Sequence, residues 1–200
     1  MTDITNGGFE TGDLTGWTSH AGNGGVLEVG TDYKYAGNYG LYLGAWEDPA
    51  PQWDESYASI SLSDFDFADL SAITFALKVP AYFGTAAKTH FSVMISGAYY
   101  KDPWEPVRIS VAAVQDWTIH TLSLVDIIGE GGEPKTRGTL QFGVSSYFND
   151  TVGSGIVAYL DAIIPIAKSG GVTIGRSLFS GRGMMVPGGI LLGTGRRHRS

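Results

Sequence analysis

The chain contains no cysteine among its 200 residues. This absence excludes a disulfide framework, thiol nucleophiles and cysteine-ligated metals. It leaves the compartment open, because a cysteine-free protein is compatible with both reducing and oxidising surroundings. Apolar runs are also short: no stretch reaches the roughly 20 residues that a membrane-spanning helix requires. The sequence therefore predicts no transmembrane segment and no membrane partner.

Signals for export and catalysis are missing as well. Residues 1–15 have neither a basic start nor an apolar run, so we expect that a chain beginning at Met1 does not use a signal peptide. There is no Gly-x-Ser-x-Gly elbow and no phosphate-binding Gly-Lys-Ser/Thr loop, and the four histidines form no metal-spaced pair. The sequence predicts a protein without enzymatic activity. A carboxylate pair for glycoside hydrolysis within residues 46–57 is the lesser alternative.

Acidic residues are missing from the last part of the chain. All 20 Asp and Glu residues lie within residues 1–161, which have a net charge of −13, whereas residues 162–200 carry six basic residues and a net charge of +6. Such asymmetry is typical of a body with an interaction arm. An acidic body repels a phosphate backbone, so nucleic acid is not expected as a partner. An acidic patch on another copy of the chain is the expected target of the basic arm.

Helical periodicity is nearly absent, and alternation with a period of two dominates the first 168 residues. Only residues 67–72 and 124–128 are compatible with single helical turns. Gly, Asn, Asp or Pro separates the alternating runs, which is the pattern of an antiparallel all-β sandwich of the jelly-roll type. The predicted strands are residues 25–29, 39–43, 58–62, 73–79, 91–95, 107–111, 117–124, 140–144 and 156–164.

The composition changes after Lys168, which predicts a sandwich over residues 1–168 and an extended Gly/Arg-rich arm over residues 169–200. Residues 170–200 contain nine glycines between short apolar pieces. Such a tail can be disordered, but its apolar content is high for a disordered segment. We favour an arm that anchors to copies of this chain or to another virion protein. Its candidate assembly residues are Arg176, Arg182, Arg196, Arg197 and Arg199.

Five stretches, in order along the chain, resemble one family. They read NGGFETGDLTGW at 6–17, YAGNYGLYL at 35–43, ITFALKV at 73–79, DWTIHTLSL at 116–124 and YLDAII at 159–164. Together they resemble carbohydrate-binding modules of the galactose-binding-like jelly-roll type over about residues 4–167. The resemblance implies the fold. It transfers no sugar contacts, because these vary among relatives, and many relatives are adhesive or structural.

The same resemblance implies a structural calcium ion. In relatives, the Glu of the first motif and the Asp of the closing motif lie side by side and help to bind the ion; the matching residues are Glu10 and Asp161. Calcium prefers oxygen ligands, which the glycine-rich turns can complete with carbonyl groups. The closing motif departs from the family, because Ala162 stands where a second acid is usual. In the alternative, both acids face solvent or accept hydrogen bonds from backbone amides.

Aromatic residues beside acids in two loops are the candidate contacts for a ligand or an interface. Aromatic rings next to carboxylates are suited to sugar recognition, but Tyr and Trp are also enriched at protein interfaces. Trp17 and Trp117, in contrast, are predicted to pack in the core; a sugar-stacking platform is the lesser alternative for Trp17. The six candidates lie near residues 46–57 and 99–104: Trp46, Trp53, Tyr57, Tyr99, Tyr100 and Trp104.

Two functions are consistent with these features. The first is a non-enzymatic structural or binding protein, a sandwich displayed on a multimeric assembly through its C-terminal arm, most simply a phage head-decoration or tail protein located in the virion. The second is a carbohydrate-binding module, extracellular or at a cell surface, that binds glycans through its loop aromatics. Both hold together if a displayed module also binds host glycans.

Overall fold

The computed structural model describes residues 4–46, 56–83, 89–102, 105–146 and 154–168. Within these ranges no helix is both long and apolar enough for a membrane crossing. The same ranges contain 11 strands and one 3-10 helix, Thr31–Tyr33. The strands are β1 (Thr18–Ala21), β2 (Gly25–Gly30), β3 (Gly40–Trp46), β4 (Ser56–Asp66), β5 (Leu70–Phe83), β6 (Thr89–Tyr100), β7 (Pro106–Val111), β8 (Gln115–Ser123), β9 (Ile127–Ile128), β10 (Arg137–Ser146) and β11 (Gly155–Ala167).

The described strands form two antiparallel sheets. The first sheet has the order β1-β4-β10-β6-β7, with β9 beside β6, and the second has the order β2-β3-β11-β5-β8. Neighbours in the sheets are mostly far apart in the chain, so crossovers between the two layers build a jelly-roll sandwich. The predicted all-β jelly roll is confirmed.

Side chains that alternate along the strands fill the space between the sheets. In β5, Ile73, Phe75 and Leu77 are completely buried, whereas Thr74 is half-buried. In β6, Phe91 and Val93 are buried in the same way from the opposite sheet. Successive side chains of a strand point to opposite faces, so every second residue enters the core.

A group of aromatic rings occupies the centre of the core. Phe142 is fully buried and meets Phe75 edge to face, with ring centroids 5.3 Å apart. The ring of Trp17 also meets Phe142 edge to face, with ring centroids 5.9 Å apart and an interplanar angle of 76°. Its exposed fraction is 8%, which confirms the prediction that Trp17 packs in the core. Edge-to-face contacts of this kind contribute beyond the area that they bury.

Two short strands and two turns differ from the sequence prediction. β1 was not predicted because all four of its residues are exposed, so it has no alternating pattern, and β9 has only two residues. The helical turn predicted at 67–72 is wrong. Phe67 and Leu70 are both buried, which imitates helical spacing, but residues 67–69 lie in a turn and Leu70 begins β5. The turn predicted at 124–128 is also wrong, because Asp126 has a left-handed backbone (φ 60°).

The last described strand, β11, ends at Ala167, next to the predicted boundary at residue 168. The predicted arm, residues 169–200, lies outside the described residues together with its five arginines. The boundary and the assembly role of the arm therefore stay predictions.

Candidate functional site

The glycine-rich opening stretch folds into a tight turn against β11. Asn6 has a left-handed backbone (φ 54°), and its side-chain amide donates a hydrogen bond to the Asp13 carbonyl at 3.0 Å. The carbonyl of Gly7 accepts the Ile163 amide at 2.9 Å. A Cβ on Gly7 would lie 2.3 Å from the Ile163 carbonyl oxygen. Glycine is required at this position because no side chain fits between turn and strand.

Asp161 is the buried carboxylate beside this turn, with 1% of its surface exposed. Its Oδ2 accepts the backbone N–H groups of Tyr35 at 2.7 Å and Ala36 at 2.9 Å. Its Oδ1 accepts the N–H of Ala162. Burial raises the pKa of Asp161; the three N–H donors oppose this, and the negative charge of Glu10 adds to it, with a net upward shift.

Glu10 binds the following residues of the same segment from the solvent side. Its Oε1 and Oε2 accept the Asn38 backbone N–H at 3.0 and 3.1 Å. The Asn38 side-chain amide donates to Oε2 at 3.1 Å, and the Tyr39 N–H donates to Oε1 at 3.4 Å. The Asn38 N–H is the main cause that holds the pKa of Glu10 below its usual 4.5. The structure thus brings both predicted acids to one segment, the β2–β3 loop (residues 31–39).

The contacts of this acid pair bear on the predicted calcium ion. Three of the four carboxylate oxygens already accept two N–H groups each, so a cation would compete with amides for the same lone pairs. In the part of the chain that the structure describes, no group of three or more His, Cys, Asp or Glu side chains is arranged to hold a metal. In this arrangement few lone pairs of the two acids are free for a calcium ion, which takes roughly six to eight oxygen ligands. The calcium ion stays a prediction.

Five aromatic rings form a continuous row on the outer face of the second sheet. Tyr42 of β3 and Tyr159 of β11 are directly paired in the sheet, with ring centroids 6.0 Å apart. The ring of Tyr33 lies over both, at 5.2 and 5.1 Å. Trp117 of β8 extends the row at 6.4 Å from Tyr159, and Tyr35 lies 5.5 Å from Trp117. We call these five residues the ring row.

The ring row faces away from the core. On either side of Tyr42, Leu41 and Leu43 are completely buried, and so are the two neighbours of Tyr159, Ala158 and Leu160. The rings therefore occupy the outward positions of their strands. Tyr35 is 48% exposed, and the other four rings are half-buried. Their packing leaves ring surface in contact with solvent.

Charged side chains lie at both ends of the ring row. On the β2 side, the Glu28 carboxylate accepts the Tyr33 hydroxyl at 3.1 Å. On the β8 side, the Lys78 ammonium forms an ion pair with Asp116 at 3.0 Å. Burial and the hydrogen bond to Glu28 raise the pKa of Tyr33, so its hydroxyl stays a donor. The surface thus combines flat apolar rings with carboxylates and an ammonium group that bind hydroxyls.

The structure places the described members of the two candidate loops at opposite ends of the sandwich. Trp46 contacts Phe83 at 6.1 Å, and Tyr57 contacts His20 at 5.5 Å. Both contacts lie at the end of the sandwich where β4 and β6 begin. Tyr99 and Tyr100 lie at the far end of β6; nine residues of strand at roughly 3.3 Å each separate Tyr99 from residue 90, about 30 Å. Trp53 and Trp104 lie outside the described residues.

Sequence reasoning missed the ring row and misplaced one of its members. Trp117 was predicted to pack in the core, but it is half-buried on the outer face. Its strand has a weak pattern in which only Leu122 is fully buried, so alternation did not identify the outward positions. Tyr42 and Tyr159 did have a signal, because both neighbours of each are buried core residues in a clear strand.

No protein-family model matches the chain, and no curated protein matches it. Among solved structures, a family 61 carbohydrate-binding module in complex with β-1,4-galactotriose is similar, with a TM-score of 0.52 and 12% identity over 82% of this chain and 97% of that chain. The fold is that of a carbohydrate-binding-module-like jelly roll. The predicted resemblance is thereby confirmed for the fold.

Two further solved structures are similar at lower scores. An endo-β-1,4-glucuronan lyase from the fungus Trichoderma reesei has a TM-score of 0.49 and 8% identity, over 78% of this chain and 93% of that chain. A family 28 carbohydrate-binding module specific for non-crystalline cellulose has a TM-score of 0.47 and 12% identity, over 82% and 94%. At such identities the similarity concerns the fold alone, so function has to be argued from the site.

Proposed function

We propose that this chain is a non-enzymatic glycan-binding β-sandwich and that the ring row is its sugar-binding surface. The observation that carries the proposal is the continuity of five rings whose neighbouring centroids lie 5.1 to 6.4 Å apart. Flat aromatic faces stack on the apolar faces of sugar rings, and a few convergent polar groups fix the orientation of a ligand. Glu28, Lys78 and Asp116 are such groups.

The extent of the ring row favours a chain of sugars over a single sugar. The row crosses from β3 through β11 and β5 to β8, which is three steps between strands of roughly 4.8 Å each, or about 15 Å. We therefore propose an oligosaccharide segment of a polysaccharide as the ligand. The similar family 61 module was solved with β-1,4-galactotriose, which makes β-1,4-galactan the first probe.

Affinity electrophoresis and calorimetry with β-1,4-galactan, mixed-linked β-glucan and non-crystalline cellulose test this proposal. The variants are Trp117→Ala and Tyr35→Ala; Tyr35 is well exposed, so its truncation is expected to leave the fold intact. Removing either ring is expected to weaken binding about tenfold or more, which corresponds to about 1.4 kcal/mol. Tyr99→Ala, one of the loop aromatics suggested by the sequence, lies at the far end of β6 and tests that alternative site; it is expected to keep the affinity of the unmodified chain.

Two results would contradict the ring row as a sugar site. One is binding to none of the three polysaccharides. The other is that Trp117→Ala and Tyr35→Ala both bind the polysaccharide as strongly as Tyr99→Ala. The proposal also includes no catalysis, so no new reducing ends are expected when the bound polysaccharide is incubated with the protein.

We further propose that the arm anchors this sandwich to an assembly, most simply a phage virion; a free module outside the cell or at its surface is the alternative. The charge asymmetry of the sequence supports the anchor, since opposite charges on body and arm favour contacts between copies. Deleting residues 170–200 is expected to abolish multimers in light scattering while the sandwich stays folded and binds glycan unchanged. A full-length chain that is a 21.3 kDa monomer would refute the anchor.

A further inference from the structure

The β2–β3 loop is far longer than the connection that its strands require. β2 and β3 are neighbouring antiparallel strands, and Gly30 pairs directly with Gly40. A tight turn of two residues is enough to join such strands, but nine residues lie between them. Those nine include two members of the ring row, Tyr33 and Tyr35. Whatever holds this loop therefore also determines where two of the five rings lie.

The core does not hold the loop. None of residues 31–39 is buried, and of these nine only Tyr39 packs against the hydrophobic core. The loop is instead held through its backbone. Asp161 accepts the N–H groups of Tyr35 and Ala36, and Glu10 accepts those of Asn38 and Tyr39. Four of its amides thus bind two carboxylates that lie outside the loop.

The backbone around both acids is shaped for this contact. At Asp161 the pairing of β11 with β5 shifts register, and Ala162 has a left-handed backbone (φ 50°). Such a bulge interrupts the regular strand pairing and changes the direction in which a side chain points. At Gly37 the φ is +66°, and a Cβ would lie 2.0 Å from Glu10 Oε1. Only glycine lets the Glu10 carboxylate approach the loop so closely.

We propose that Glu10 and Asp161 are positioning residues of the ring row: by binding the amides of the β2–β3 loop, they place Tyr33 against Tyr42 and Tyr159 and Tyr35 against Trp117. Hydrogen bonds from N–H groups to a charged carboxylate are shorter and stronger than neutral ones. The amides satisfy the lone pairs that a cation would otherwise use, so the loop is held without a metal. For its binding readout this inference depends on the proposed function.

Hydrogen exchange of residues 31–40 tests the inference directly. Asp161→Asn and Glu10→Gln keep the size of each side chain but remove its charge and one acceptor oxygen. Each is expected to raise the exchange rates of these amides about tenfold or more, with a smaller effect for exposed Glu10. Asp64→Asn removes the same charge from an exposed acid of the first sheet that pairs with Arg137, and it is expected to leave residues 31–40 unchanged.

The affinity for β-1,4-galactan is the second readout. Asp161→Asn is expected to weaken binding about tenfold, in proportion to the loss of exchange protection. Trp117→Ala separates this inference from the proposed function, because it removes a ring and leaves both carboxylates in place. If Trp117→Ala binds galactan normally, the proposed sugar site is wrong, but exchange in the two acid variants still decides whether the carboxylates hold the loop.

Chelation distinguishes the amide contacts from the predicted calcium ion. In the unmodified chain, exchange of residues 31–40 is expected to be the same in EDTA and in excess calcium chloride. Exchange that accelerates in EDTA as much as in Asp161→Asn would overturn the inference and assign the loop to a cation. Unchanged exchange in both Asp161→Asn and Glu10→Gln would overturn it as well. If Asp161→Asn does not fold, Glu10→Gln alone carries the test, because Glu10 is exposed.

Discussion

Replacing Gly40 with alanine is expected to displace the β2–β3 loop from the sheet. The backbone of the loop crosses directly over this buried glycine. A Cβ there would be 2.2 Å from the Tyr33 carbonyl oxygen, 2.5 Å from its carbonyl carbon and 2.8 Å from the Lys34 Cα. No side-chain rotation relieves these contacts, because all three atoms belong to the backbone. The segment that carries the Tyr33 ring has to move away from Tyr42 and Tyr159.

The size of the effect follows from two opposing contributions. Forcing an extra carbon into a well-packed place destabilises a protein by about 1–3 kcal/mol. Gly40 does not have a positive φ, so alanine returns about 0.4–1 kcal/mol by restricting the unfolded chain. Taken from the middle of both ranges, the net loss is about 1–2 kcal/mol. In a domain of this length, that loss lowers the melting temperature by about 2–8 °C.

Gly8→Ala provides the matched control in the neighbouring turn. A Cβ on Gly8 would meet Asp161 Oδ1 at 3.6 Å and Glu10 Cγ at 3.8 Å, which are ordinary contacts. Thermal melting by circular dichroism and galactan affinity are measured for both variants. Gly40→Ala is expected to melt lower and to bind more weakly than Gly8→Ala. Equal melting temperatures and equal affinities would refute the reasoning that the loop backbone lies on Gly40.

Three further changes test other parts of the structure. Phe142→Ala removes the fully buried ring that Trp17 and Phe75 contact, and it should lower the free energy of unfolding in urea by about 3–5 kcal/mol. Ala162 has a left-handed backbone, so Ala162→Gly removes about 1–2 kcal/mol of backbone strain. The greater freedom of glycine in the unfolded chain costs about 0.4–1 kcal/mol in return, so the urea midpoint should rise. Burial lowers the pKa of His120 from its usual 6.5. The unfolded chain therefore binds the proton more readily, so the free energy of unfolding falls as the pH drops below 6.5. His120→Gln should reduce that loss, measured by urea titrations at pH 7 and 5.5.

The strands could be predicted because each buries one face. All nine predicted runs overlap observed strands and seven lie entirely within them, since residues such as Ile73, Phe75 and Leu77 mark the core by alternation alone. β1 could not be predicted, because it gains its place by pairing with β4 and buries none of its own residues. Pairing partners are a property of the topology and leave no local pattern.

The acid pair and the ring row show the same limit at the level of the site. Glu10 and Asp161 were predicted as neighbours through the family resemblance, and the structure brings both to the β2–β3 loop. Their amide partners were predicted only as an alternative to calcium. Trp117 and Tyr159 become neighbours because β5 lies between their strands and Tyr159 pairs directly with Lys78. No spacing along the chain encodes such a contact.

The ring row therefore depends on the completed sandwich more than on any one strand. Its rings come from the β2–β3 loop, β3, β8 and β11, and the carboxylates that hold the loop lie before β1 and in β11. A loop that buries no residue of its own has too little apolar surface to fix its backbone. The carboxylates of Glu10 and Asp161 on the folded sandwich fix the loop backbone instead. Asp161, the buried one, reaches its position only when β11 has paired with both β3 and β5. A rigid scaffold thus orders a flexible connection from outside, which is how binding residues on loops acquire fixed positions.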